Sequence, residues 1–221
     1  MLRLVTCLEP TVIVAPHLFF PFLLAGLALN VTPGPDMLYV LATGSRAGRK
    51  GGVLAACGVG AGCAVHTCAA ATGLSALLVS SAAAFTAVKW AGAAYLVYLG
   101  VKAIFAPAGL AAAPDDAPAP DERVFRRALV TNVLNPKVAI FFLAFVPQFV
   151  DPSRGRVPLQ FLVLGLSFCV SGTLVNALVG LAAGQVRRAL AARPRFAQTL
   201  DRVTGAVFVG LGLRLVFQPR T

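Results

Sequence analysis

The sequence predicts an all-α integral membrane protein of about six transmembrane helices, arranged as two inverted three-helix repeats. Three observations predict it. Of the 221 residues, 58% are hydrophobic and only 12% charged, whereas soluble domains carry about 25% charged residues. Too little polar surface remains to wrap a water-soluble body. Six apolar stretches, 17–43, 51–78, 85–105, 124–150, 158–186 and 198–217, each approach the roughly 20 residues that cross a bilayer. Finally, the two halves echo each other across a single polar segment.

Residues 1–16 form an N-terminal extension in which Glu9, Pro10 and Pro16 interrupt the apolar run behind Arg3. No cleaved signal peptide is predicted. The first stretch, 17–43, is broken inside by Pro33-Gly34-Pro35-Asp36. Each proline removes a backbone donor and clashes with the preceding turn. Thr32 is the expected N-cap and Pro33 the expected first residue of the restarted helix. The second stretch carries Gly58-x-x-x-Gly62, a small-residue pattern suited to close helix packing. The third, 85–105, resembles the sixth: a shift of 113 pairs Thr86 with Thr199, Lys89 with Arg202 and Gly92 with Gly205.

Residues 106–123 hold four prolines and four acidic residues. Such a segment cannot pack a core and reads as a linker between the halves. The fourth stretch, 124–150, is broken at Asn135-Pro136-Lys137, with Asn135 as cap and Pro136 as first helical residue. The fifth, 158–186, carries Asn176, a polar group that glues helices or lines a path. Three spans per half is an odd number, so the second half must be inverted, as in secondary transporters.

The net charge of +11 reads as basic loops on one side of a membrane, not as a nucleic-acid surface. With the N-terminus outside, the inner loops collect Arg46, Arg49, Lys50, Lys102, Arg123, Arg126, Arg127, Arg187, Arg188, Arg193, Arg195 and Arg202. The outer side collects half as many: Arg3, Lys89, Arg154, Arg156, Arg214 and Arg220. That bias places both termini outside and the linker in the cytoplasm.

Both breaks lie roughly 15–18 Å from the cytoplasmic ends of their spans, at about 1.5 Å per residue. Asp36 and Lys137 therefore sit near the bilayer midplane, at equivalent places in the two halves and with opposite charge. A charge there costs about 2.5–3.5 kcal/mol on insertion scales and must face a cavity or a partner. Two readings follow. A structural ion pair would tolerate exchange of the two charges. A zwitterion site, in which freed amides take a carboxylate and freed carbonyls an ammonium, would leave the exchanged protein folded but inactive.

Other candidates are weaker. His66 lies beside Cys57, Cys63 and Cys68, but at 100° per residue these four do not share a face, so no metal site and no cofactor are predicted. His66 is expected to be buried and hydrogen-bonded, with a role in proton coupling left open. Gln148 and Asp151 read as interfacial. No G-x-S-x-G occurs, which disfavours an intramembrane hydrolase. Two histidines give little support to the alternative of a divalent metal-ion exporter.

The strings L-x-L-N-V-T-P-G-P-D-M-L-Y-V at 27–40 and N-V-L-N-P-K-V-A-I-F-F-L-A-F-V-P-Q-F-V at 132–150 resemble the LysE/RhtB amino-acid exporter family. So do the segment from Lys89 to Gly100 and the terminal G-x-V-F-V-G-L-G-L-R-L. The likeness runs from about residue 18 to 217 and omits the linker and the N-terminal extension, which is longer than the family leads one to expect. It implies a multi-pass protein of the cytoplasmic membrane that exports amino acids, driven by protons; it implies no enzyme activity. A homodimer is compatible with it. The family's motif residues fall here on Pro33, Gly34, Pro35, Asp36, Asn135, Pro136 and Lys137, with Asn176 and His66 as further candidates for the substrate or proton pathway.

Overall fold

The computed structural model describes residues 13–80, 82–105 and 120–185, together with single helical positions between 199 and 213. The expectations for residues 1–12, for most of the linker and for both termini lie outside the described residues. The elements among the described residues are all helical, joined by short non-helical segments.

Helix α1 (Pro16–Val31) opens with proline in its first turn and ends at Thr32, whose hydroxyl donates to the Ala28 carbonyl at 2.9 Å. Thr32 and Gly34 each precede a proline, which pushes a residue out of the α region. Both are extended, Thr32 at φ −66°, ψ 125° and Gly34 at φ −161°, ψ 179°. Helix α2 (Pro35–Ala69) therefore starts two residues later than the sequence led us to expect. Thr32 closes α1 and does not cap α2, and Pro35, not Pro33, is the first helical residue. The reason is local: a second proline at 35 denies Gly34 the helical conformation.

Within α2, Gly48 adopts φ +73°, ψ −170°, a conformation that L side chains rarely take. The chain folds back there. A Cβ on Gly44 would lie 3.4 Å from the Gly52 Cα, although eight residues of straight helix span about 12 Å. Two limbs result, before and after Gly48, with Arg46, Arg49 and Lys50 exposed at the turn. A π-helical turn (Ala70–Leu74) and α3 (Ser75–Ser80) continue the second limb, and α4 (Ala82–Ile104) follows.

The second half begins with α5 (Asp121–Val133), which buries Val124, Ala128 and Asn132 at four-residue spacing and exposes Arg123, Arg126 and Arg127. After Leu134 and Asn135, α6 (Pro136–Ile140) continues at 46° to it. A π turn (Phe141–Phe145) and a 3-10 turn (Val146–Phe149) complete the span. In the loop that follows, hydrogen bonds from Ser153 hold the Asp151 carboxyl below the usual carboxylate range. Buried Gln160 staples this loop by bonding both the N–H and the carbonyl of Asp151. Helix α7 (Val157–Leu181) then crosses.

Small residues set the packing. A Cβ on Gly52 would lie 2.6 Å from the Gly180 carbonyl oxygen, and one on Gly165 would meet Thr67 at 2.5 Å. Residue numbers rise on α2 as they fall on α7, so its second limb runs antiparallel to α7. Gly58 and Gly62 instead face Phe125, Ala128 and Leu129, which lays α5 parallel to that limb, in the close contact expected of Gly-x-x-x-Gly. Gly26 meets Phe168 and Gly172 meets Asn30, so α1 is parallel to α7. The broken first span (α1 plus the first limb) therefore runs opposite to the broken fourth (α5 plus α6). The third and last stretches also cross antiparallel, Gly100 against Gly205 and Gly212 against Ala93.

Phe22, Phe141, Phe145, Phe149, Phe161 and Phe168 fill the core beyond the breaks, the Phe141 and Phe168 rings stacking at 4.2 Å. The opposite face of α7 exposes Leu166, Val170, Leu174 and Leu178, each more than half accessible. In water such a stripe would be a liability. In a bilayer it is the lipid face, and the protein is a membrane protein.

Candidate functional site

The two breaks meet. Asp36, in the first turn of α2, is buried and its Oδ2 accepts hydrogen bonds from Asn132 Nδ2 at 2.9 Å and Asn135 Nδ2 at 2.8 Å. Asn135 caps α6 by accepting from the Lys137 N–H at 3.0 Å, so one side chain holds the helix start and the opposite half together. Lys137 Nζ reaches back and donates to the carbonyls of Leu29 at 2.8 Å and Thr32 at 2.9 Å. These lie in the last turn of α1 and just beyond it, where the helix dipole favours a cation; the Leu29 carbonyl also accepts from the Thr32 N–H at 3.2 Å.

Asp36 and Lys137 do not pair directly. Among the described residues no ion pair joins them, and each charge is fastened to polar groups of the opposite half. The carbonyls that the sequence reading offered to a substrate ammonium are held by the protein's own lysine. Gly34 faces this lysine: a Cβ there would lie 3.4 Å from Lys137 Cδ and Nζ, an ordinary contact.

A small cavity of about 30 Å³ opens beside this junction, room for one or two waters in this conformation. Gly34, Asp36, Lys137 and Asn176 line it, together with Asn30, Asn132, Met37, Val59, Cys63, Phe168 and Cys169. Pro33, Pro35, Asn135, Pro136 and His66 do not; the prolines shape the breaks from behind. His66 is partly buried, stacks on Phe142 at 5.7 Å and places Nε2 3.2 Å from the Asn132 carbonyl oxygen. Among the described residues no three His, Cys, Asp or Glu side chains gather to hold a metal.

Sequence reasoning missed Asn132 and Asn30. The signal for Asn132 was its spacing: three residues before Asn135, it lies on the same side of the chain, so both amides reach one carboxylate. Asn30 bonds the Phe168 carbonyl and the Ser171 hydroxyl of α7, a partnership that nothing in the sequence indicates.

The profile of the family described as LysE type translocator matches residues 27–219. An uncharacterized membrane protein of Vibrio cholerae is 32% identical over 199 residues, covering 90% of this chain and 96% of its own length. One of Pseudomonas aeruginosa is 35% identical over 202 residues, covering 89% and 94%. The leucine efflux protein of Salmonella typhimurium is 30% identical over 203 residues, covering 89% and 93%. No solved structure matches.

Proposed function

We propose, from the premise that the chain belongs to the LysE type translocator family and is a transporter, not an enzyme, that it exports amino acids across the cytoplasmic membrane by proton-coupled alternating access. One observation carries the reading: a cavity between the two broken spans is lined by one anion and one cation, each fastened to the opposite half. A zwitterion entering there competes for both. Its carboxylate draws Lys137 from the α1 carbonyls, and its ammonium draws Asp36 from the two asparagines. Substrate thereby loosens the four hydrogen bonds that clamp the halves, and the halves rock about the breaks.

The antiparallel crossing of the first and fourth spans, and of the third and last stretches, supports an inverted repeat. The basic turn at Arg46–Lys50 and the start of α5 lie at one end, joined by the Lys50–Asp121 ion pair at 2.6 Å. That clustering supports a cytoplasmic linker and termini outside. Met37, Val59 and Phe168 give the cavity an apolar wall for a side chain such as leucine, the substrate in the name of the Salmonella relative. Asp36 is the one carboxyl on the described wall and is assigned the coupling proton.

The test is efflux of preloaded radiolabelled amino acids from cells expressing the chain, across a substrate panel, with and without a protonophore. Uphill efflux of apolar amino acids that stops when the proton gradient collapses is expected. Efflux no faster than from empty cells across the whole panel would overturn the amino-acid reading, and undiminished uphill efflux would remove proton coupling.

A further inference from the structure

A side-chain oxygen that accepts no hydrogen bond is carried by each of three residues that line the cavity. Asp36, Asn132 and Asn176 all line it and are 8%, 2% and 6% exposed. Asn132 Nδ2 donates to Asp36, and Asn176 Nδ2 donates to the Gly172 carbonyl of its own helix at 2.9 Å. The oxygens are left over: Asp36 Oδ1, Asn132 Oδ1 and Asn176 Oδ1 are buried with no hydrogen-bond partner. Flipping the amides does not mend this. At Asn132 a flip turns an oxygen onto the Asp36 carboxylate, and at Asn176 onto a carbonyl, so both orientations are fixed by their surroundings.

Buried polar atoms are almost always satisfied, and an exception on a cavity wall calls for a ligand or an ordered water. Asn132 Oδ1 is directed at Gly62, lying 2.9 Å from where its Cβ would stand, and is set aside. Two acceptors remain, one anionic from the first half and one neutral from the second. A water offers two donors and no charge. A primary ammonium offers three donors and a positive charge, which strengthens its bond to a carboxylate.

Resting on the exporter reading above, we propose that Asp36 Oδ1 and Asn176 Oδ1 together form an ammonium subsite, so that the protein selects substrates with a primary α-ammonium. Asn176 is then a specificity-determining residue. It recognises the nitrogen by its donors, while the Met37, Val59 and Phe168 wall receives the side chain. Molecules with the same apolar tail but a trimethylated nitrogen or no nitrogen leave both acceptors without a donor.

The experiment is equilibrium binding to the purified full chain in detergent. L-leucine, L-methionine and L-alanine are each compared with their N,N,N-trimethyl and des-amino derivatives. Wild-type protein is expected to bind at least one parent amino acid at least tenfold more tightly than both of its derivatives. Asn176→Leu should reduce that preference by about tenfold or more, the worth of one hydrogen bond to a charged group, while leaving affinity for the des-amino acid unchanged. Asn176→Asp keeps the acceptor and should keep the preference, which covers a Leu variant that fails to fold. The ratio between two ligands on one preparation is insensitive to the folded fraction.

Equal binding of parent and trimethyl forms by wild type, or an unchanged preference in a folded Asn176→Leu, overturns the subsite and leaves the exporter reading standing. Failure of all three amino acids to bind overturns the subsite and the amino-acid reading together.

Discussion

Exchanging the two central charges, Asp36→Lys with Lys137→Asp, separates an interchangeable ion pair from two groups fastened in different surroundings. The geometry predicts that the exchanged protein does not fold, which revises the sequence-based expectation of a folded, inactive variant. In the wild type, Asp36 receives two N–H donors and Lys137 meets two carbonyl oxygens, four bonds of 2.8–2.9 Å. After exchange an ammonium faces amide donors, and a carboxylate faces two carbonyls that repel it. Hydrogen bonds between membrane helices are worth about 1–2 kcal/mol each in model systems, so losing four costs about 4–8 kcal/mol before any repulsion. That is comparable to the whole stability of a domain, about 5–15 kcal/mol.

The double-neutral variant, Asp36→Asn with Lys137→Gln, behaves differently because polarity is preserved. The Asn oxygen still accepts from Asn132 and Asn135, and the Gln amide still offers two N–H donors toward the α1 carbonyls, on a stem one bond shorter. It is expected to fold, melting within about 10 °C of wild type for a loss of up to about 3 kcal/mol, and to transport little. The assay is fluorescence-detected size exclusion and thermal melting in detergent, followed by efflux for whatever folds. An exchanged variant that elutes as a single peak and melts within about 5 °C of wild type would refute the reasoning, since it would show that the two positions share a common ion pair.

Three further outcomes follow from the same architecture. Gly52→Val places side-chain atoms against the Gly180 backbone, where even a Cβ comes within 2.6 Å; overpacking of this kind costs about 1–3 kcal/mol, and an unchanged melting temperature would contradict the close α2–α7 contact. Gly48→Ala forces an L residue to φ +73°, ψ −170° with nothing nearby to clash, so it should cost only the conformational term of about 1–3 kcal/mol, measured by the same melt. A reporter active only in the cytoplasm should be silent when fused after Thr221 and active when inserted between residues 106 and 119; a strong signal at Thr221 would overturn the orientation.

The amino-acid sequence by itself determined the membrane class, the two breaks and the family. Composition fixes how much polar surface exists, and proline acts on its own backbone and on the residue before it. Those effects are covalent or local, so they are legible without a fold. Even the error at Thr32 was local in origin: both prolines were read as breaks, but the constraint that Pro35 places on Gly34 was not weighed. Tertiary structure alone decided which partner each polar atom takes. Asp36 meets Asn132 and Asn135, 96 and 99 residues away, and Lys137 meets Leu29 and Thr32, 108 and 105 residues away. Opposite charges at equivalent positions look like a pair in the sequence. In the folded protein each lies closer to uncharged dipoles of the opposite break, because a helix end already presents carbonyls along its dipole and a cap already brings an amide, and these are fixed in place where an ion pair would have to be built.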